Sequence, residues 1–219
     1  MFSDSPRPLY SHAQKRFANS GFTLIELLMV IAVILVLSGI TFGISRGVQN
    51  AQARAQAKAE LAVIAQALEG FKSTYGDYPW VSGNPTRTEN AEKLLLALTG
   101  FAILERNNTS GVVSLVEIDS GGARKSFLDP TKVALSQDFN KPTNAADLDG
   151  VYFTDPWGNP YAYVYAKSSN STTWKNFGYV LFSEGADSNS SIGSVATDGI
   201  LNTAHRGMNA NIDNIYSGE

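Results

Sequence analysis

The stretch SGFTLIELLMVIAVILVLSGI, from Ser20 to Ile40, constrains this chain more than any other. From Phe22 to Ile44 the only ionisable side chain is Glu26. A hydrocarbon core takes ~20 helical residues to cross, and this run is long enough. Residues 1–21 are polar and weakly basic, with Arg7, Lys15 and Arg16 against Asp4. By the positive-inside tendency they stay in the cytoplasm and the chain beyond the apolar run is exported, although Arg46 past the far end reduces the asymmetry. The buried-looking carboxylate has two readings. A helix N-terminus tolerates an acid through its macrodipole. An acid further into the bilayer needs a partner.

The residues before Glu26 offer that partner. An ordinary secretory signal is cut after its apolar stretch at a small-residue site, and Ala51-Gln52-Ala53 has that form. Cutting between Gly21 and Phe22 instead leaves the apolar helix on the mature chain. It also creates an α-amine on Phe22, four residues before Glu26. That amine is a counter-charge for the carboxylate, within the helix or on an adjacent subunit, and it exists only after cleavage.

Beyond Ile44 the sequence turns polar and alanine-rich, with high helix propensity. Leu61, Ile64, Leu68, Phe71 and Tyr75 draw one apolar stripe at helical spacing. Gly76-Asp77-Tyr78-Pro79 stops it. One helix is therefore expected from Phe22 to Tyr75, its first half in the membrane and its second half resting on a soluble domain. A second helix is expected over Glu89–Leu104 with Thr88 as its cap. GVVSLVEI from Gly111, YAYVY (Tyr161–Tyr165) and GYVLFS (Gly178–Ser183) have strand composition, the last two joined by KSSNSTTWKN as a hairpin loop. The residues after Ser183 are rich in Gly, Ser, Asn and Asp, and form either a long ordered loop or a frayed tail. The fold class is α+β: a long N-terminal helix on a small antiparallel sheet. The segments are a leader (1–21), a membrane and assembly helix (22–44), its amphipathic continuation (45–76) and a globular domain (77–219).

GFTLIELLMVIAVILVL resembles the N-terminal signal of the type IV pilin and type II secretion pseudopilin superfamily. The resemblance implies a pilin-like fold and a prepilin peptidase that cuts after Gly21 and N-methylates Phe22. It also implies that Glu26 pairs with a neighbour's N-terminus during filament assembly. Many relatives have a helix-bending proline where this chain has Gly39 and Gly43, and glycine permits a bend without forcing one. GDYPW after the helix and DPWGNPYAYVY (Asp155–Tyr165) resemble the major pseudopilin branch. The local chemistry of Asp155-Pro156-Trp157-Gly158 is that of a turn, with Pro at i+1 and Gly at i+3 and Trp157 as an apolar anchor beside it. The similarity covers residues 20–80 and 150–187.

The chain has no cysteine, so it cannot close the C-terminal disulfide loop of many type IVa pilins. LFSEGADS and the polar segment after it resemble a calcium-binding loop. Asp187, Asp198, Asn209, Asn211 and Asp213 are its candidate ligands, with a solvated polar loop as the alternative. The net charge of −3 offers no basic patch for nucleic acid. His12 lies in the leader and His205 reads as an exposed loop residue. No nucleophile, metal-histidine or phosphate-loop constellation is visible, so an enzyme is not expected. The resemblance implies a homo-oligomeric helical filament and, as partners, the peptidase, an assembly ATPase, an inner-membrane platform protein and other pseudopilins. The expected role is a structural pseudopilus subunit in protein secretion, with a surface pilus for adhesion, motility or DNA uptake as the alternative. The expected location is the inner membrane, single-pass, with a periplasmic globular domain.

Overall fold

The computed structural model describes residues 21–80, 86–165, 174–191 and 198–218, including every side chain of these outside 41–46. Most of the expected leader, and most of the KSSNSTTWKN loop, lie outside the described residues. The fold is α+β, an N-terminal helix packed on small antiparallel sheets, as expected for a pilin-like chain. Helix α1 spans Leu24–Tyr75 and continues through Gly39, Gly43 and Gly47. The chain divides into two compact units after Arg46.

In the first unit the apolar part of α1 is exposed nearly all round, with Leu24 at 82% and Leu35 at 71% of full accessibility. Among the described residues no helix is long and apolar enough to cross a membrane. The side chains described in this part of α1 run only to Ile40.

In the second unit α1 becomes one-sided. Ala57, Leu61, Ile64, Leu68 and Phe71 are buried, at the three- and four-residue steps that place them on one helix face. Glu60 lies among them, 6% exposed. Its carboxylate accepts from the Tyr161 hydroxyl at 2.6 Å and from Gln56 Nε2 at 2.8 Å, so the buried acid has donors on both oxygens. Farther along, Tyr163 donates to the Pro79 carbonyl at 2.7 Å and Tyr165 to Asp77 at 2.6 Å. These bonds fix the Gly76–Pro79 exit of α1 to the sheet.

Helix α2 runs Arg87–Thr99. It starts two residues earlier than expected, because Thr86 and not Thr88 is the cap. Thr86 accepts from Glu89 N while the Glu89 carboxylate accepts from Thr86 N, a reciprocal capping box. It also ends sooner than Leu104. Gly100 takes a left-handed φ of +88°, and a Cβ there would stand 2.9 Å from the Arg124 carbonyl. The chain leaves as strand β1 (Ala102–Arg106), which pairs antiparallel with β2 (Val113–Glu117), Leu104 opposite Leu115. Residues expected as the last turn of a helix therefore form a strand.

The second sheet has the order β3 (Ala162–Val164), β4 (Val180–Ser183), β5 (Ile215–Tyr216), all antiparallel. Ala162 lies opposite Phe182, and Phe182 opposite Tyr216. The Asp155 turn that leads into β3 has the expected form. Gly158 N donates to the Asp155 carbonyl at 2.9 Å, and the Asp155 side chain accepts from Trp157 N, Asn159 N and the Ser183 hydroxyl. Trp157 is partly buried against the core. The described residues after Ser183 form an ordered cover with short helical turns, including α3 (Thr203–Arg206), and they end in the sheet. The frayed-tail alternative does not hold for them.

Candidate functional site

Two places gather the residues singled out in the sequence: the start of α1 and the C-terminal cover. At the first, Gly21, Phe22 and Glu26 are all exposed, Phe22 at 85%. Glu26 lies in the first turn of α1. Its Oε2 accepts from Thr23 N and from the Thr23 hydroxyl, both at 2.8 Å, and the Thr23 hydroxyl accepts from Glu26 N at 3.3 Å. Thr23 and Glu26 thus make a second capping box, satisfying helix-start N–H groups that would otherwise lack partners. The T-x-x-E pattern in FTLIE carries this signal, and reading Glu26 only as an odd charge in an apolar run overlooks it. Its Oε1 makes no hydrogen bond among the described residues. The carboxylate can therefore cap its own helix through one oxygen and present the other outward.

The family model described as the prokaryotic N-terminal methylation motif matches this segment. The match covers residues 16–42. It takes in Gly21, Phe22, Thr23 and Glu26 and leaves the rest of the chain unassigned. Neither a curated protein nor a solved structure matches the chain. The motif supports a type IV pilin-like or pseudopilin precursor that is membrane-anchored. It implies processing by a prepilin peptidase and assembly into a filament.

At the C-terminal cover, the five residues proposed as calcium ligands do not converge as a set. Asp187 and Asp213 do meet: Asp187 N donates to Asp213 Oδ2 at 3.0 Å. Gly185, at φ +74°, makes room for Asp213, since a Cβ there would stand 2.5 Å from its carbonyl oxygen. Asp213 Oδ1 and Asn214 Oδ1 are buried without a hydrogen-bond partner among the described residues. The other three are placed otherwise. Asn211 Oδ1 accepts from Ser191 N at 2.8 Å and from Asn214 Nδ2 at 3.3 Å, so its oxygen is occupied by structural bonds. Asn209 is exposed on a short 3₁₀ turn. Asp198 Oδ1 accepts from Ile200 N at 3.0 Å, in a local turn. Among the described residues no group of three or more His, Cys, Asp or Glu is arranged to hold a metal.

Two further features of the cover depart from the sequence reading or lie beyond it. His205, expected to be exposed, is 2% exposed. Asn202 caps α3 by accepting from His205 N, Asn211 Nδ2 donates to the His205 carbonyl at 2.7 Å, and the ring Nε2 lies 3.4 Å from the same Asn211 Nδ2. Burial, and then the neighbouring Arg206 charge, hold its pKa below the usual histidine value. Arg87, the first residue of α2, forms an ion pair with Glu184, and both bond the Ser190 hydroxyl. This triad fastens the start of the cover to α2.

Proposed function

We propose that the chain is a structural filament subunit, a pseudopilin of the major type, cut by prepilin peptidase and built into a pseudopilus for protein export. The observation that carries this reading is the position of Glu26 inside the methylation motif, capped by Thr23 through one oxygen only. Residues 1–21 are the leader and 22–44 the helix that crosses the inner membrane once. Residues 45–76 continue the helix, and the globular domain 77–219 is periplasmic. Cleavage after Gly21 makes the Phe22 amine, and the outward Oε1 of Glu26 meets that amine on a neighbouring subunit. The carboxylate then sets the register between helices whose apolar faces are buried first in lipid and later against sister helices. The assembly ATPase, platform protein and other pseudopilins act on this precursor.

The pseudopilus is preferred over a surface pilus because the chain lacks cysteine and carries the GDYPW and DPWGNP segments. The proposed role needs no catalytic group. The test compares Glu26→Ala with Glu26→Gln in a strain that assembles filaments. Both variants enter the membrane, because removing a charge eases insertion, and both lose most filaments, because neither offers a counter-charge to the amine. Filaments at the unaltered level from either variant would reduce Glu26 to a helix cap.

A calcium site belongs to the same reading in reduced form. Asp187 and Asp213 would hold the ion, with Asn214 Oδ1 and backbone carbonyls filling the six to eight oxygens that calcium takes. Its contribution is to neutralise the buried Asp213 carboxylate and stiffen the cover.

A further inference from the structure

The hairpin between β1 and β2 carries a feature that filament building does not use. Its tip reads Glu105-Arg106-Asn107-Asn108-Thr109-Ser110, and all six residues are exposed. Asn107-Asn108-Thr109 is an Asn-X-Thr acceptor sequence for N-linked glycans. Such sequences recur by chance in a chain rich in Asn, Ser and Thr, so placement has to distinguish them. Four begin at Asn107, Asn108, Asn170 and Asn189. Asn170 lies outside the described residues.

Asn189-Ser190-Ser191 is pinned. The Ser190 hydroxyl is held between Glu184 and Arg87. Ser191 is tied through both its N–H and its carbonyl to the side chain of buried Asn211. In the overlapping Asn108-Thr109-Ser110, the Ser110 hydroxyl accepts from Val112 N at 3.4 Å. Asn107 differs. Its Oδ1 accepts from Thr109 N at 2.8 Å and from Ser110 N at 3.0 Å. Only an oxygen can accept from two N–H groups, so this fixes the amide orientation. Its Nδ2 makes no hydrogen bond among the described residues, nor does the Thr109 hydroxyl. The residue that bears the nucleophilic nitrogen and the residue that bears the hydroxyl a transferase reads are both exposed. Glu105 lies two residues earlier, near the end of β1, and adds an exposed anionic handle. A two-stranded hairpin tip also opens at low cost to enter an enzyme groove.

We infer that Asn107 is a glycan acceptor, modified by an oligosaccharyltransferase that uses a lipid-pyrophosphate-linked oligosaccharide. The Asn107 Nδ2 bonds to C1 of the first sugar as the C1–O bond to the pyrophosphate breaks. The lipid pyrophosphate leaves, and Nδ2 gives up one proton to a base on the transferase. The inference rests on the periplasmic placement of the globular domain.

The test uses the full-length chain with a second acceptor sequence appended in a C-terminal tag, which reports export independently. It is produced in a bacterial host equipped with a single-subunit oligosaccharyltransferase and its lipid-linked oligosaccharide, and glycopeptides are read by mass spectrometry. The expected result is glycan on Asn107 and on the tag. Asn107→Gln removes the first and keeps the second, while Asn108→Gln and Asn189→Gln change neither. Glycan on the tag with Asn107 bare, or on Asn189 in its place, overturns the assignment and leaves the export reading standing. Glycan on neither site overturns both.

Discussion

Replacing Arg87 by alanine tests whether the C-terminal cover is held as the structure shows. Arg87 pairs with Glu184, whose side chain is 4% exposed, while that of Arg87 is 28% exposed. Removing one partner of a buried pair costs ~3–5 kcal/mol, since the other charge is left stranded. An exposed pair contributes only ~0–1 kcal/mol. Here Glu184 is buried, keeps among the described residues only the Ser190 hydroxyl as a donor, and Arg87 is partly screened. A loss of ~2–3 kcal/mol is expected from the intermediate exposure. For a domain of 150–250 residues each kcal/mol lowers Tm by ~2–4 °C, so Arg87→Ala should lower it by about 4–12 °C. Thermal unfolding of the full-length chain in detergent, followed by circular dichroism, measures this. Glu184→Gln should fall less, because its amide oxygen still accepts from Arg87 and Ser190 and the charge left without a partner, on Arg87, is the more exposed one. A shift below about 1 °C for Arg87→Ala would refute the reasoning and make the pair a surface contact.

Two further outcomes bear on the same cover. The His205 pKa is depressed by burial and by Arg206, so its contribution to stability is present above the unfolded value of ~6.5 and is lost as pH falls through the folded value. Amide protection factors over residues 203–214, corrected for the intrinsic pH dependence of exchange, should therefore be lower at pH 5 than at pH 7.5, and His205→Gln should remove that difference; equal protection at both pH values in the unaltered chain counts against it. Calorimetric titration with calcium should give heat and a raised Tm that Asp213→Asn abolishes, whereas no heat at millimolar calcium eliminates the metal site.

The sequence was most legible where periodicity is long. The stripe from Leu61 to Phe71 needs no tertiary information, and the tyrosine- and valine-rich strands are set by composition. Boundaries were read less well. Leu94, Leu95, Leu98 and Phe101 keep helical spacing past Thr99, so the strand at Ala102 was hidden behind an apparent helix; the Gly100 stop was the available signal. Both capping boxes, Thr86–Glu89 and Thr23–Glu26, were present as T-x-x-E. The cover was illegible for another reason. Its order comes from long-range bonds such as Arg87–Glu184 and Ser191–Asn211, which leave no local pattern. The same cause scattered the calcium candidates, since acidic composition does not say which carboxylates meet.

The most direct measurement is the mass of the N-terminal peptide of the mature chain isolated from its membrane. A peptide beginning at Phe22 with an added methyl group is the result predicted for a prepilin-like precursor whose Glu26 awaits a new amine. A peptide retaining residues 1–21, or one beginning after Ala53 as an ordinary secretory signal would leave it, would contradict the account.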